Sequence, residues 1–145
     1  MTIASIAFSP ARCVSSDTPL SEVAQRMVTE RINHLPVCEG GSYVGMVDVG
    51  SILGVVAPTG LPDLKFAGDM LGVLTSHTRD LARKQVKDVV TRDTPAVPEN
   101  CPLPEALLLL SKHDCPLAVI DAAGQVKGML SSRGVLAYLL QQAGA

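Results

Sequence analysis

We predict an α+β fold in which two β-α-β-β-α units, related by a pseudo-twofold axis, pack sheet to sheet. Three observations support this prediction. Blocks of sequence recur at a constant offset, both copies show the same order of helical and strand patterns, and 47% of the 145 residues are hydrophobic, which is enough for a core. Only 3% of the residues are aromatic, so aliphatic side chains must build that core.

The internal repeat is clearest in two blocks. The segment 17–22 recurs at 100–105, and both copies contain a Pro-Leu pair followed by a glutamate; the offset is 83 residues, 102 minus 19. The same offset carries Gly-Met-Val at 45–47 onto Gly-Met-Leu at 128–130. We therefore divide the chain into a first unit at 1–56, a connecting segment at 57–85 and a second unit at 86–145.

The first helix of the first unit is predicted from apolar residues at i, i+3, i+4, i+7 and i+8, which share one helical face. Thr18 is the expected N-cap, with Pro19 at the first helical position. The apolar face consists of Leu20, Val23, Ala24, Met27 and Val28.

A β-hairpin is predicted after this helix, because two β-rich runs at 35–38 and 43–47 flank a turn that contains two glycines. A second helix is predicted from about Val49, and a short strand at 13–15. The second unit repeats the order, with 121–124 as its hairpin turn.

Three short motifs give this order a family resemblance. A Pro-Leu pair opens the first helix of each unit, at 19–20 and 102–103. A Leu-Pro-Val strand follows at 35–37, and a Gly-hydrophobic-hydrophobic strand precedes each last helix, at 45–47 and 128–130. Together they resemble the cystathionine-β-synthase (CBS) family, and two units in one chain resemble its usual paired form.

The resemblance implies a non-catalytic regulatory module that senses an adenosine-containing ligand, such as AMP, ATP or S-adenosylmethionine, in a cleft between the units. No obligatory cofactor is expected. In the family, an Asp in a Gly-h-h-Thr/Ser-x-x-Asp run, where h is hydrophobic, holds the ribose hydroxyls and a nearby cation holds the phosphates. The first unit instead has Asp48 at the hydroxyl position and Ser51 at the Asp position. The second has Ser131 and Arg133, but Gly134 replaces the Asp.

We expect the ligand at Ser131 and Arg133, with Asp48 as the polar counterpart in the first unit. The alternative is that Ser131 and Asp48 only cap helices and that Arg133 is an ordinary surface residue. Because the ribose Asp is missing, a nucleotide should bind weakly, at tens of micromolar or poorer, on the order of −6 kcal/mol. The apolar wall of the site is predicted to consist of Val97, Pro98, Leu117 and Val119.

Two helices of the second unit are apolar on more than one side, which indicates burial against a partner. We predict a homodimer through these helices, as the resemblance implies, with Leu108, Leu109 and Leu139 in the interface. The alternative partner is the connecting segment, where apolar residues predict a short helix: Leu64, Phe66, Met70, Leu71, Val73 and Leu74.

Composition also argues against several classes of protein. The formal net charge of −2 and the absence of a basic run disfavour nucleic-acid binding. No apolar run reaches the length of a membrane span, and residues 1–10 lack the basic region of a signal peptide. Four separated cysteines, Cys13, Cys38, Cys101 and Cys115, are expected to be reduced thiols in a cytoplasmic protein.

No catalytic or metal-binding motif is evident. The three histidines, His34, His77 and His113, lie dozens of residues apart. Cys38 near His34 and Cys115 near His113 leave a soft-metal or redox site as an alternative, but buried cysteines are more often structural. We predict no metal and no enzyme activity.

A second functional hypothesis stands beside the sensor. The absence of the ribose Asp in both units favours a degenerate pair that serves as a dimerising scaffold or protein-interaction module without nucleotide. Under either hypothesis the protein partner is unknown.

Overall fold

The computed structural model describes residues 1–6, 9–10, 12–57, 67–113 and 115–144. The strands are β1 (Ser9–Pro10), β2 (Val14–Ser15), β3 (His34–Glu39), β4 (Ser42–Asp48), β5 (Ala96–Pro98), β6 (Leu117–Ile120) and β7 (Val126–Leu130). The α-helices are α1 (Leu20–Glu30), α2 (Val49–Val56), α3 (Ala67–Asp80), α4 (Leu103–Lys112) and α5 (Ser132–Gln142). Short 3₁₀ turns lie at Ile3–Ser5, Leu81–Arg83 and Val86–Asp88.

The first unit contains a three-stranded sheet in the order β2-β3-β4. Strand β2 runs parallel to β3, and β3 and β4 form the predicted antiparallel hairpin. Gly40 and Gly41 make its turn with φ angles of 59° and 86°, a backbone region that glycine enters without steric cost. Helices α1 and α2 contact each other, and a core of Val, Leu, Ile and Met packs with them.

The second unit contains a four-stranded sheet in the order β1-β7-β6-β5. Strand β5 runs parallel to β6, and the β6–β7 hairpin is antiparallel, as predicted. In its turn the Asp121 carboxylate accepts hydrogen bonds from the backbone N–H groups of Ala123 and Gln125, at 2.9 and 3.0 Å. The extra strand, β1, comes from the beginning of the chain and pairs with β7.

The two units exchange the segments at their N-terminal ends. Ile3 and Ile6, from the start of the first unit, are buried in the core of the second unit. Leu81, near the end of the connecting segment, and Val86, the first residue of the second unit, are buried in the core of the first. Each core is therefore completed by a segment at the N-terminal end of the other unit, so the halves depend on each other for burial of apolar surface.

The exchange follows the repeat offset of 83 residues. The Ile3 N–H donates to the Cys101 carbonyl at 3.0 Å, and its counterpart Val86 N–H donates to Thr18 at 3.0 Å. The bridge between Pro19 and Gln85 has its own counterpart in the bridge between Thr2 and Pro102. These pairs confirm the predicted pseudo-twofold relation between the units.

Three details of the sequence analysis are wrong. Val28, predicted on the apolar face of the first helix, is 76% exposed. Helix α1 begins at Leu20 with Pro19 in the N-cap position and no side-chain cap; the Thr18 hydroxyl bonds that of Ser15 at 2.9 Å instead. Cys13 and Cys38 are joined in a disulfide, so these two are not reduced thiols. The neighbouring strands β2 and β3 bring the two cysteines together, with their Cα atoms 5.8 Å apart, a usual separation for a disulfide.

The connecting segment does form a helix, α3, which contacts α2 of the first unit. The His77 ring Nδ1 lies 2.9 Å from the Val56 carbonyl oxygen and links the two helices. Leu108 and Leu136 remain exposed on the second unit, so the described part of the segment does not cover them. Leu64 and Phe66 lie outside the described residues.

Candidate functional site

A cleft of about 590 Å³, which we call the larger cleft, lies where the units meet, and its volume is within the range of small-molecule sites. The first unit contributes the end of α1 and the start of β3. The second contributes the end of β7 and the start of α5. The lining residues are Arg12, Glu30, Ile32, Asn33, His34, Leu35, Pro36, Cys115, Pro116, Met129, Ser131, Ser132 and Arg133.

Ser131 ends the second unit's sheet and caps the last helix. Its Oγ accepts a hydrogen bond from the Gly134 backbone N–H at 2.9 Å, as the capping interpretation of the sequence expected. A hydroxyl that accepts one bond still has its own proton to donate. The same side chain can therefore cap α5 and donate to a ligand oxygen.

Two arginines line the larger cleft from different units. Arg133 lies exposed in the first turn of α5, and within the described part of the chain it has no carboxylate partner. Arg12 precedes β2 and forms an ion pair with Glu30 at the end of α1. Guanidinium groups bind phosphate with paired hydrogen bonds, so the cleft offers phosphate two such groups.

Glu30 is the acidic residue of this cleft, and it is held by two arginines. Arg26 Nε donates to Glu30 Oε2 at 3.1 Å, and Arg12 Nη1 donates to the other oxygen. The hydrogen bond from Arg26 is the main reason that the pKa of Glu30 is lowered, and the charge of Arg12 adds to it. Glu30 therefore stays ionised and balances one arginine, which leaves the lining residues cationic overall.

The smaller cleft lies on the opposite side of the pseudo-twofold axis and has a volume of about 200 Å³. Asp48, the repeat counterpart of Ser131, lines it together with Asp93. Asp48 Oδ1 accepts a hydrogen bond from the Ser51 N–H at 2.7 Å and caps α2. With two carboxylates, this cleft disfavours an anionic ligand. Its lining residues are Met46, Asp48, Thr91, Asp93, Thr94, His113 and Cys115.

The structure separates the predicted site residues into three groups. Ser131 and Arg133 both line the larger cleft, whereas Asp48 lines the smaller one. The residues proposed as an apolar wall line neither cleft. Of these, Val97, Leu117 and Val119 are buried in the core of the second unit, and Pro98 is exposed at the end of β5.

The apolar lining of the larger cleft comes from both units. Ile32, Leu35 and Pro36 belong to the first unit, and Cys115, Pro116 and Met129 belong to the second. Arg12 is a further lining residue that sequence reasoning missed. No motif contains it, and its repeat counterpart is Pro95, so only the packing of the units could identify it.

The predicted dimer residues differ in exposure. Leu108 is 60% exposed, whereas Leu109 and Leu139 pack partly against the core of the second unit. Helices α4 and α5 contact each other. Together they present four exposed leucines, Leu107, Leu108, Leu136 and Leu140.

Neither a metal site nor a membrane-spanning helix is found among the described residues. No group of three or more His, Cys, Asp or Glu side chains there is placed to hold a metal ion. No helix in the same ranges has the length and apolar character needed to span a membrane.

Two α+β units that exchange segments about a pseudo-twofold axis, with a cleft on each side, define a paired-domain module. The CBS domain model matches residues 3–58 and 86–141, and the chain therefore belongs to the CBS domain family. A comparison with curated protein sequences finds no match.

Solved CBS-pair structures share the fold. CBSX2 from Arabidopsis thaliana superposes with a TM-score of 0.77 at 25% identity, covering 99% of this chain and 97% of that one. CBSX2 in complex with AMP gives 0.72 at 22% identity and 98% of each chain. The CBS domain pair of protein MJ0100, in complex with 5′-methylthioadenosine and S-adenosyl-L-methionine, gives 0.65 at 18% identity, covering 96% and 99%.

Proposed function

We propose that this protein is a non-catalytic regulatory module that binds an adenine nucleotide in the larger cleft. One observation carries the proposal: the larger cleft has two arginines, Arg12 and Arg133, whereas its pseudo-symmetric counterpart has two aspartates, Asp48 and Asp93. This contrast favours a phosphate-bearing ligand in one cleft over the other. The AMP complex of CBSX2 supports AMP as the first ligand to test.

In this proposal each part of the nucleotide has a partner of matching chemistry. The phosphate lies between the Arg12 and Arg133 guanidinium groups, and the Ser131 hydroxyl donates to a phosphate or ribose oxygen. Adenine lies against the apolar side chains of Ile32, Pro36 and Met129. Gly134 leaves the ribose hydroxyls without a carboxylate, so affinity remains in the tens of micromolar or poorer, on the order of −6 kcal/mol.

Regulation follows from the composition of the cleft. Its lining residues come from both units, so a bound nucleotide favours the arrangement of units in which both sets of contacts are made. The shift between arrangements is limited by the difference in the ligand's affinity for them. A partner protein that contacts both units would bind the two arrangements with different affinities.

Calorimetry with AMP, ATP and S-adenosylmethionine tests the proposal. We expect AMP or ATP to bind with a stoichiometry of one per chain. Thermal unfolding provides a second readout, because a ligand at 100 times its Kd stabilises the folded state by about 2.7 kcal/mol. Absence of binding at millimolar nucleotide would contradict the sensor function.

The second candidate is a dimerising scaffold, and the exposed leucines of α4 and α5 favour it. An apolar surface of this kind is commonly covered in a stable assembly. A homodimer is compatible with nucleotide binding, so the scaffold replaces the sensor only if sedimentation shows a dimer while calorimetry shows no ligand.

We also propose that the protein works in the cytoplasm. Lasting disulfides are rare in the cytoplasm, so this location requires that the Cys13–Cys38 bond forms transiently and is reduced again. Cell fractionation tests the location, and trapping of thiols during lysis tests whether both forms of the pair occur there.

A further inference from the structure

We propose that the Cys13–Cys38 disulfide is a redox switch that sets the nucleotide affinity of the larger cleft by fixing Arg12. The inference rests on the proposed function for the identity of the ligand. It adds a means of regulation: the oxidised protein binds phosphate-bearing ligands more tightly than the reduced protein does.

The disulfide lies directly beside the cleft. Arg12 lines the cleft and is followed at once by Cys13. Cys38 lies in β3, and the beginning of that same strand, 34–36, lines the cleft as well. The crosslink therefore ties the backbone next to Arg12 to a strand that forms another part of the lining.

Arg12 lies between two short strands. Strand β1 has two residues and pairs with β7 through Ser9↔Met129 and Pro10↔Gly128. Strand β2 has only two residues, and it joins β3 through the pairs Val14↔Val37 and Ser15↔Cys38. The Arg12 side chain is 66% exposed, and its ion pair with Glu30 is of the exposed kind that restrains geometry weakly. The covalent bond is thus the strongest restraint on the residue next to Arg12.

The core of the first unit does not depend on this bond in the same way. Val14 is buried in the core, and the Ser16 hydroxyl donates to Glu39 Oε1 at 2.6 Å. These contacts follow the crosslink in sequence and anchor β2 without it. Reduction should therefore loosen Arg12 and Cys13, which lie between β1 and β2, while both strands and the unit stay folded.

The exposure of the two cysteines indicates which sulfur a reductant attacks first. Cys13 is exposed, whereas Cys38 is 6% exposed. A thiolate of a dithiol reductant attacks Cys13 Sγ, the S–S bond breaks, and Cys38 leaves as a thiolate that takes up a proton. The second thiol of the reductant then displaces Cys13, so the protein gains two electrons and two protons and the dithiol becomes a disulfide.

Calorimetry with AMP on the oxidised and the dithiothreitol-reduced protein tests the switch. Because a guanidinium–phosphate contact is charge-assisted, we expect its loss to raise the Kd for AMP by about tenfold or more. The Cys13→Ser/Cys38→Ser variant should bind like the reduced protein under all conditions. Equal affinity of the oxidised and reduced wild type would overturn the proposal while leaving nucleotide binding intact.

Two variants separate the switch from general effects of reduction. Cys101→Ala alters a cysteine that is buried outside the disulfide, and this variant should keep the full redox response. Arg12→Gln should bind AMP weakly in both states and show no response. A redox response that persists in Arg12→Gln would show that the crosslink does not act through this arginine.

Hydrogen exchange without ligand keeps the switch testable if AMP fails to bind. Reduction should speed exchange of the amides of residues 12–13 while the amides of β2, α4 and β6 stay protected. Faster exchange at 12–13 without AMP binding would contradict the proposed function and support redox control of the backbone at Arg12. Unchanged exchange at 12–13, or alkylation of Cys13 and Cys38 in air-oxidised protein without reductant, would rule out the switch.

Discussion

Ser42 and Gln125 face each other in an antiparallel bridge between the two units, and they are separated by the repeat offset of 83 residues. Each residue is therefore the counterpart of the other, so the pseudo-twofold axis passes between them. The neighbouring Tyr43 N–H donates to the Gly124 carbonyl across the same junction at 3.3 Å. A duplicated unit thus meets its own copy here through equivalent strands.

The segment exchange predicts a single cooperative unfolding transition. Ile3 is fully buried in the core of the second unit, so Ile3→Ala should lower the free energy of unfolding by about 2–5 kcal/mol. Denaturant unfolding followed by circular dichroism measures the loss. Val28→Ala, at a site that is 76% exposed, should change it little. Two separate transitions in Ile3→Ala would contradict mutual dependence of the units.

Two helix caps related by the repeat allow stability and binding to be separated. Ser131→Ala and Asp48→Ala each remove a cap, from α5 and α2 respectively, and should each cost about 1 kcal/mol of stability. Only Ser131→Ala should also weaken AMP binding, since Ser131 alone lines the larger cleft. Equal losses of affinity in calorimetry would show that the effect comes from stability and not from ligand contact.

Arg133 should contribute directly to phosphate binding. Arg133→Gln removes a charge-assisted contact and should raise the Kd for AMP by about tenfold or more, from 1.5–3 kcal/mol for such a bond. Adenosine, which lacks phosphate, should be affected little. Arg83→Gln removes an exposed arginine outside both clefts and is the matched control. A comparable loss in Arg83→Gln would indicate a general charge effect.

The exposed leucines of α4 and α5 predict a homodimer that substitution can disrupt. Leu108→Gln with Leu140→Gln changes two exposed side chains, at 60% and 48% exposure, without removing core contacts. Sedimentation should then show a folded monomer in place of a dimer. The control Leu71→Gln alters an exposed leucine of α3 and should leave the dimer unchanged. A dimer that survives the double substitution would exclude this interface.

Tyr43 gives stability a dependence on alkaline pH. Burial raises the pKa of Tyr43 above its ordinary value of 10.0, although the hydrogen bond with Thr94 opposes the rise. The neutral phenol contributes fully to the free energy of unfolding at a pH below the ordinary pKa of 10.0. As the pH rises from that value toward the folded-state pKa, the unfolded chain ionises first and this contribution is lost. Between about pH 9 and pH 11, the midpoint temperature of thermal unfolding should fall more steeply with pH in the wild type than in Tyr43→Phe. Parallel curves would contradict this assignment.

Sequence patterns predicted most of the helices and strands correctly, because each of these depends on residues that are close together in the sequence. The helical face that begins at Leu20 and the glycine turn at 40–41 require only neighbouring residues. The exchange of Ile3 and Val86 between units was not predicted, because a repeat at constant offset fits equally well with each segment packed on its own unit.

Only part of the candidate site was predicted, because sequence motifs identify neighbours in the chain and do not show how the two units pack. Ser131 and Arg133 belong to a motif, and the structure places both on the larger cleft. The prediction of the apolar wall was wrong because Leu117 and Val119 are buried in the core of their own unit. The wall residues Ile32 and Pro36 belong to the other unit and become neighbours of the motif only through packing.

The most direct test of the account is an NMR titration of isotope-labelled, oxidised protein with AMP. We expect the backbone amides of Ser131–Arg133 and the side chain of Arg12 to shift together in a saturable way. The amides around Asp48 and Asp93 should remain in place. Shifts confined to the aspartate-lined cleft, or none at millimolar AMP, would contradict the claim that the arginine-lined cleft between the units holds a nucleotide.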